Sequence, residues 1–330
     1  MEMRAFRVVL LAAALATAMS CARGAGSTEW PTRPVKVIVP FGPGSGADVV
    51  TRLLAPRLSE RWRQPVVIDN RPGADGMTGV HAFVSANDQH TLLFTPSGQV
   101  TLNPLLHEQL PFDPIRDLVP IAAAVAPSIG IAVAKDVPAA ALADLATLAR
   151  SQPERYLWAG VPGLPEIIFK AFLALEKVQM RHVPYRVQSM ALQDLGAGRV
   201  HVLAASVATL SPVLQSGAAR LLVVTTRARI AAAPDVPTTN EAGYPVLTGE
   251  GKWGFYGWRD MPFAMRDRIS DDIRQALDDA ALAAKLTAMG LTVAPTGATE
   301  FAHAIQAQRR QVHEIASIIG LKPSDPSKRP

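Results

Sequence analysis

Residues 35–54 read VKVIVPFGPGSGADVVTRLL, a short apolar strand, a loop with three glycines and a helix that begins at once. The first four N–H groups of an α-helix lack internal partners, and the helix dipole adds partial positive charge there. Gly42, Gly44 and Gly46 let a ligand approach that backbone without side chains in the way. The chemistry this suits is the holding of a small anion; the alternative is a flexible turn between strand and helix. Other Gly-rich chemistries fail on spacing. A P-loop needs Gly-Lys followed by Ser or Thr, and no lysine follows these glycines. A dinucleotide fingerprint needs a third glycine where Val49 stands, and a nucleophile elbow needs glycines where Pro43 and Ala47 flank Ser45. The histidines lack H-E-x-x-H or comparable metal spacing and are read as structural or exposed. No nucleophile with a positioned base is evident, so a secreted hydrolase is disfavoured and no cofactor or metal is expected.

The elements that position this loop sit behind a leader. Arg4 and Arg7 precede an uncharged run from Val8 to Ala22, a secretory pattern that falls short of the roughly 20 residues a membrane span needs. Residues 1–26 are expected to be a signal peptide, with Ala22 and Gly24 as small residues at cleavage-site offsets. The competing site is lipidation at Cys21, disfavoured because Ala18 replaces the usual leucine. Cys21 is the single cysteine, so the mature chain is held by its core and not by disulfides. The expected location is the periplasm.

The remaining length of about 300 residues suits two domains. An apolar content of 48% and a mean hydropathy of +0.15 exclude a disordered chain. The formal charge of +5 falls to +3 without Arg4, Arg7, Arg23 and Glu2 of the leader. That is too balanced for a nucleic-acid footprint and no basic stripe appears, so no nucleic-acid partner is expected.

After the leader, strand and helix alternate. VKVIVPF, PVVIDN and HTLLFT read as strands around the helices ADVVTRLLAPRLSERW and HAFVSAN, a βαβα succession that predicts a parallel sheet with ligands beyond the strands' carboxyl ends. Two apolar runs in LVPIAAAVAPSIGIAVAKDVP predict a crossing into a second lobe, and EGKWGFYGWRDMP a strand returning. Trp253 and Trp258 are expected to pack at that hinge. PFAMRDRISDDIRQALDDAALAAKLTAM and ATEFAHAIQAQRRQVHEIASIIG each read as one helix. The boundaries are residues 27–127 with 250–322 for lobe 1, 128–249 for lobe 2, and 323–330 as a disordered tail. The fold class is α/β, two lobes joined by crossing strands with a cleft between them.

WPTRPVKVIVPFGPGSGADVVTRLLAPRLSERWRQPVVIDNRPGADGMTG, LPFDPIRDLVPI, HVPYRVQSMALQDLGAGRV and APDVPTTNEAGYP occur in the order of one family. Across essentially the whole mature chain the sequence resembles periplasmic receptors of the tripartite tricarboxylate transporter system, the Bug type. The resemblance implies a type II periplasmic-binding-protein, or Venus-flytrap, fold that closes on a small organic acid. It implies delivery to a separate membrane permease, no catalysis, and action as a monomer. A ligand sensor that presents its closed form to a membrane signalling partner is the alternative.

Carried over from the family, the ligand loops fall on Phe41, Gly44, Ser45, Gly46 and Asp48, and on Thr95, Ser97 and Gly98. In lobe 2 they fall on Gly160, Val161 and Gly163, and on Tyr185 and Arg186. Asp48 is read either as a ligand contact or as an acid complementing the helix dipole. Arg186 is read either as a bidentate carboxylate partner or as a solvated arginine. The chain departs from the family pattern at Val161, Pro162, Leu164 and Pro165, at Val187-Gln188 in place of Gly-Gly, and at His201 in place of Asp. Prolines lack N–H donors, so the second wall is expected to be more apolar. A carboxylate against Gly44, Ser45 and Gly46 with an apolar or aromatic far end is therefore expected, in preference to a tricarboxylate.

Overall fold

β-Branched runs build the centre of the first sheet. Val35–Val39 (β1) is buried at four of its five positions, as a strand covered on both faces must be. The chain continues through α1 (Gly46–Trp62), β2 (Val66–Asn70), α2 (Met77–Ala86) and β3 (Thr91–Pro96). Val50, Leu54 and Leu58 share the buried face of α1 at helical spacing. β1 pairs in parallel with both β2 and β3, the arrangement that helical crossovers impose. Two short helical segments follow, α3 (Gly98–Thr101) and α4 (Asn103–Leu106). The structure, a computed structural model, describes residues 30–107, 109–185 and 188–321. The chain divides into Met1–Thr32 and a unit Arg33–Pro330, which holds all of these elements. The expected leader and tail lie outside the described residues.

β4 (Val119–Pro127) runs almost directly into β5 (Ile129–Ala134), with only Ser128 between them. From there the chain builds a second sheet. Its elements are α5 (Leu142–Ser151), β6 (Leu157–Gly160), α6 (Leu164–Glu176), β7 (Arg181–His182), α7 (Gln188–Gly196), β8 (Val202–Ser206), α8 (Val207–Gln215) and β9 (Ala219–Val224). The strand order is β7-β6-β8-β5-β9. Trp158, Phe169 and Phe172 pack at its centre, with ring centroids 4.8 and 5.6 Å apart.

β10 (Trp253–Gly257) brings the chain back, followed by α9 (Phe263–Leu277), α10 (Ala280–Ala288), β11 (Leu291–Thr296) and α11 (Ala298–Ile318). The first sheet is therefore ordered β11-β4-β10-β3-β1-β2. It is not the parallel sheet predicted from the βαβα succession: β10 lies antiparallel to β3 and β4, and β11 antiparallel to β4. Local alternation carried no sign of this, because β10 pairs with strands more than a hundred residues earlier. The helix expected over α9 and α10 is two, since Asp279 Oδ1 accepts the Leu282 N–H at 2.8 Å and caps a new start. β11 went unread.

The two crossings lie side by side. Thr225 stands between them, its N–H donating to the Ile129 carbonyl at 2.9 Å and its carbonyl accepting the Gly249 N–H at 2.8 Å. Thr225 Oγ1 returns a bond to the Gly249 carbonyl at 2.7 Å. α11 packs on both sheets. Phe301 meets Tyr256 of β10 with centroids 5.2 Å apart, while Val312, Ile315 and Ala316 join the buried cluster around the second sheet.

Candidate functional site

A cleft of about 550 Å³ opens between the strand ends of the two sheets. On the first-sheet side stand the β1–α1 loop, the helical run after β3, and Trp253. On the second-sheet side stand residues 161–167, Lys170, and the start of α8.

The loop before α1 is organised by its own side chains. Gly44 takes φ +79°, a left-handed backbone that glycine adopts without strain. Its N–H donates to Asp48 Oδ2 at 2.9 Å. The Ser45 N–H donates to the Gly42 carbonyl at 3.2 Å. Ser45 caps the helix, Oγ accepting the Asp48 N–H at 3.3 Å, and the first helical bond runs from the Val49 N–H to the Ser45 carbonyl at 2.9 Å. In the first turn of α1 the Gly46 and Ala47 N–H groups have no acceptor among the described residues, and both residues line the cleft. The expected donor set of Gly44, Ser45 and Gly46 is corrected accordingly: two of its amides hold the turn, and the free pair sits one residue further on. Gly46 also lies against Trp253, whose ring is 2.7 Å from the position a Cβ would take.

Asp48 is buried beneath this loop and not in the cleft wall. It also accepts from Arg52 Nε at 2.9 Å and from Asn70 Nδ2 at 3.0 Å. Burial pushes its carboxyl up, but the bonds from Arg52, Gly44 and Asn70, with the charge of Arg52, hold it below the usual range. Its role is to shape the loop.

The other expected residues divide in the same way. Phe41, Ser45, Gly46, Gly98, Val161 and Gly163 line the cleft. Thr95 is fully buried in β3. Ser97 ties the end of β3 to the returning crossing, its N–H donating to the Lys252 carbonyl at 2.7 Å and its Oγ accepting the Lys252 N–H at 3.1 Å. Gly160 packs under Glu166 at the start of α6. Tyr185 is turned to Asp194, donating at 2.5 Å, and burial with that bond pushes its pKa up to about 12. Arg186 lies outside the described residues. His201 accepts the Leu157 N–H on Nδ1 at 3.0 Å, and burial lowers its pKa, so it is a neutral structural group.

Several cleft residues were not read from the sequence. Gln99, Leu102, Asn103 and Leu106 line it from one side, and Glu166, Ile167 and Lys170 follow the expected Gly163 on the other. Both sets follow i, i+3, i+4, i+7 spacing, the signal that could have found them. Glu166 and Lys170 form an ion pair at 2.5 Å. Gln308 of α11 reaches the same cleft, its Oε1 accepting from Thr101 Oγ1 at 3.3 Å. Trp253, expected in the hinge core, is a wall of the cleft, while Trp258 is buried as expected. Among the described residues no cluster of His, Cys, Asp and Glu forms a metal site, and no helix is long and apolar enough to cross a membrane.

The architecture is that of a two-lobed α/β binding protein with its ligand cleft between the lobes. The description "Tripartite tricarboxylate transporter family receptor" matches residues 50–321. A UPF0065 protein of Bordetella bronchiseptica is 30% identical over 318 residues, which cover 96% of this chain and 94% of that protein. The structure of R. palustris Rpa4515 with adipate superposes with a TM-score of 0.79 at 28% identity, over 89% of this chain and 99% of that one. MatC from Rhodopseudomonas palustris with bound malate gives 0.75 at 25% identity, over 87% and 99%. The chain belongs to the tripartite tricarboxylate transporter receptor family.

Proposed function

We propose that this protein is a periplasmic receptor, exported through its leader, that captures a small organic carboxylate and hands it to a membrane permease of the same transport system. The observation that carries the reading is the pair of unspent N–H groups of Gly46 and Ala47 at the start of a 17-residue helix, opening into a mainly apolar cleft. The carboxylate sits against those amides, and the body of the ligand lies among Phe41, Trp253, Val161 and Leu164. An apolar wall leaves a second or third carboxylate without partners, so a monocarboxylate or aromatic acid is preferred to a tricarboxylate. Gly44, Asp48, Thr95 and Ser97 support the site from behind. The adipate and malate held by the two solved relatives support the carboxylate class. The protein binds without catalysis and needs no cofactor. Lobes split at 127/128 and 249/250 close on the ligand by bending at the paired crossings.

Thermal shift of the purified protein against a panel of mono-, di- and tricarboxylates tests this, since a ligand of the folded state raises its apparent stability. Stabilisation by aliphatic or aromatic monocarboxylates is expected. Stabilisation by citrate alone would overturn the ligand preference, and no response to any carboxylate would overturn the function.

A further inference from the structure

The face of α6 that looks into the cleft carries an acid. Glu166 is four-fifths buried, with 18% of its side chain exposed, and Oε1 lies 2.5 Å from Lys170 Nζ one turn along. Among the described residues Lys170 is the only cation lining the cleft, and Glu166 already neutralises it. The other lining acid, Asp75, is largely exposed and stands 3.6 Å from His107. A ligand carboxylate arriving at this wall would have to share one ammonium with Glu166, carboxylate against carboxylate.

Across the cleft, Asn103 is 5% exposed and fixed in orientation. Its Nδ2 donates to Gln99 Oε1 at 2.8 Å, and Gln99 Nε2 donates to the Asp75 carbonyl at 2.8 Å. This relay uses one N–H of each amide and leaves Asn103 Oδ1 as an acceptor with no partner among the described residues. Glu166 likewise has a carboxylate oxygen beyond the one that meets Lys170. The α1 end of the cleft is thus rich in donors, and these two helical faces offer acceptors.

We infer that Glu166 selects against a second carboxylate, and that Glu166 and Asn103 accept a hydrogen bond from a hydroxyl at the far end of the ligand. The ligand class is a hydroxy-substituted monocarboxylic acid. This rests on the carboxylate-receptor reading proposed above.

The test uses two matched series, hexanoate, 6-hydroxyhexanoate and adipate, and benzoate, 4-hydroxybenzoate and terephthalate, titrated calorimetrically. The full mature protein is compared with its Glu166→Gln and Asn103→Leu variants. In whichever series fits the cleft, the hydroxy acid should bind at least tenfold more tightly than the diacid. Glu166→Gln, which keeps size but removes charge, should narrow that gap about tenfold. Asn103→Leu should erase the advantage of the hydroxy acid over the unsubstituted acid. These ratios do not move if either residue is merely structural, so a partly destabilised variant still reports. A diacid bound as tightly as the hydroxy acid, or a gap unmoved by Glu166→Gln, overturns the inference and leaves the receptor reading standing. Binding of none of the six removes both.

Discussion

The Gly44 N–H donates to the Asp48 carboxylate at 2.9 Å, four residues ahead in the first turn of α1. This bond folds the glycine loop back on its own helix. The Gly46 and Ala47 amides of that first turn stay without acceptors among the described residues, and Asp48, read from the sequence as either a ligand contact or a complement to the helix dipole, braces the loop that carries them.

Removing that brace should cost both stability and binding. Asp48→Ala removes the part-buried acceptor of the Gly44 N–H and of Asn70 Nδ2, a loss of about 1–2 kcal/mol. Urea denaturation should show the drop, and calorimetry on any carboxylate that stabilises the parent should show weaker binding. Unchanged affinity in a correctly folded variant would mean that the loop does not need Asp48 to hold its shape.

The donor pair can be tested by deleting one member. Ala47 lies in the first turn of α1, where a proline is tolerated because its N–H has no helical acceptor. Ala47→Pro should keep the helix by circular dichroism. It should weaken carboxylate binding by roughly ten- to a hundredfold, the range for a hydrogen bond to a charged group. A variant that binds as well as the parent places the carboxylate elsewhere.

Gly46 and Trp253 are coupled by space. A methyl at position 46 would stand 2.7 Å from the Trp253 ring, so Gly46→Ala should destabilise by about 1–3 kcal/mol through overpacking. Combining it with Trp253→Phe should recover part of that loss, because contacting residues are not additive. Denaturation of the two single variants and the double variant measures this; strict additivity would count against the contact.

Acid stability should depend on Asp117. Its side chain is buried and accepts from Arg116 Nε at 2.9 Å and from Arg259 Nε at 3.0 Å. Burial pushes its carboxyl up, but the bonds from Arg116, Arg259 and the Asp113 N–H outweigh burial and bring its pKa down to about 2 from the ordinary 3.8. A depressed carboxylate pKa stabilises the fold above the unfolded value, and that contribution fades as pH falls through the folded one. About 2 kcal/mol should therefore be lost between pH 4 and pH 2. Asp117→Asn should flatten that stretch of the stability profile; the same slope in parent and variant would assign it to other groups.

Much of this protein is legible locally. Ser45 as a cap, Gly44 in a left-handed turn and the apolar stripe of Val50, Leu54 and Leu58 each need only near neighbours in the chain, so they can be read from type and spacing. The α/β class and the crossing at Pro127–Ile129 follow from the same periodicities. The order of motifs pointed to the family without any coordinates.

What spacing could not decide is which way a side chain faces once distant segments meet. Trp253 was read as hinge core, and it became a wall of the cleft only because β10 inserts between β3 and β4, with register shifts at Trp253/Gly254 and Phe255/Tyr256. In a strand a shift of one residue exchanges the two faces. Glu166 and Lys170 look like an ordinary i, i+4 surface pair until the second sheet turns that face of α6 toward α3 and α4. The hydroxyl of Ser97 is taken only because Lys252, 155 residues further along the chain, reaches it first. Local sequence determined which groups exist and which helices and strands carry them. Tertiary contact decided which groups are already spent and which still face the cleft, because a hydrogen bond or a buried face can be used only once.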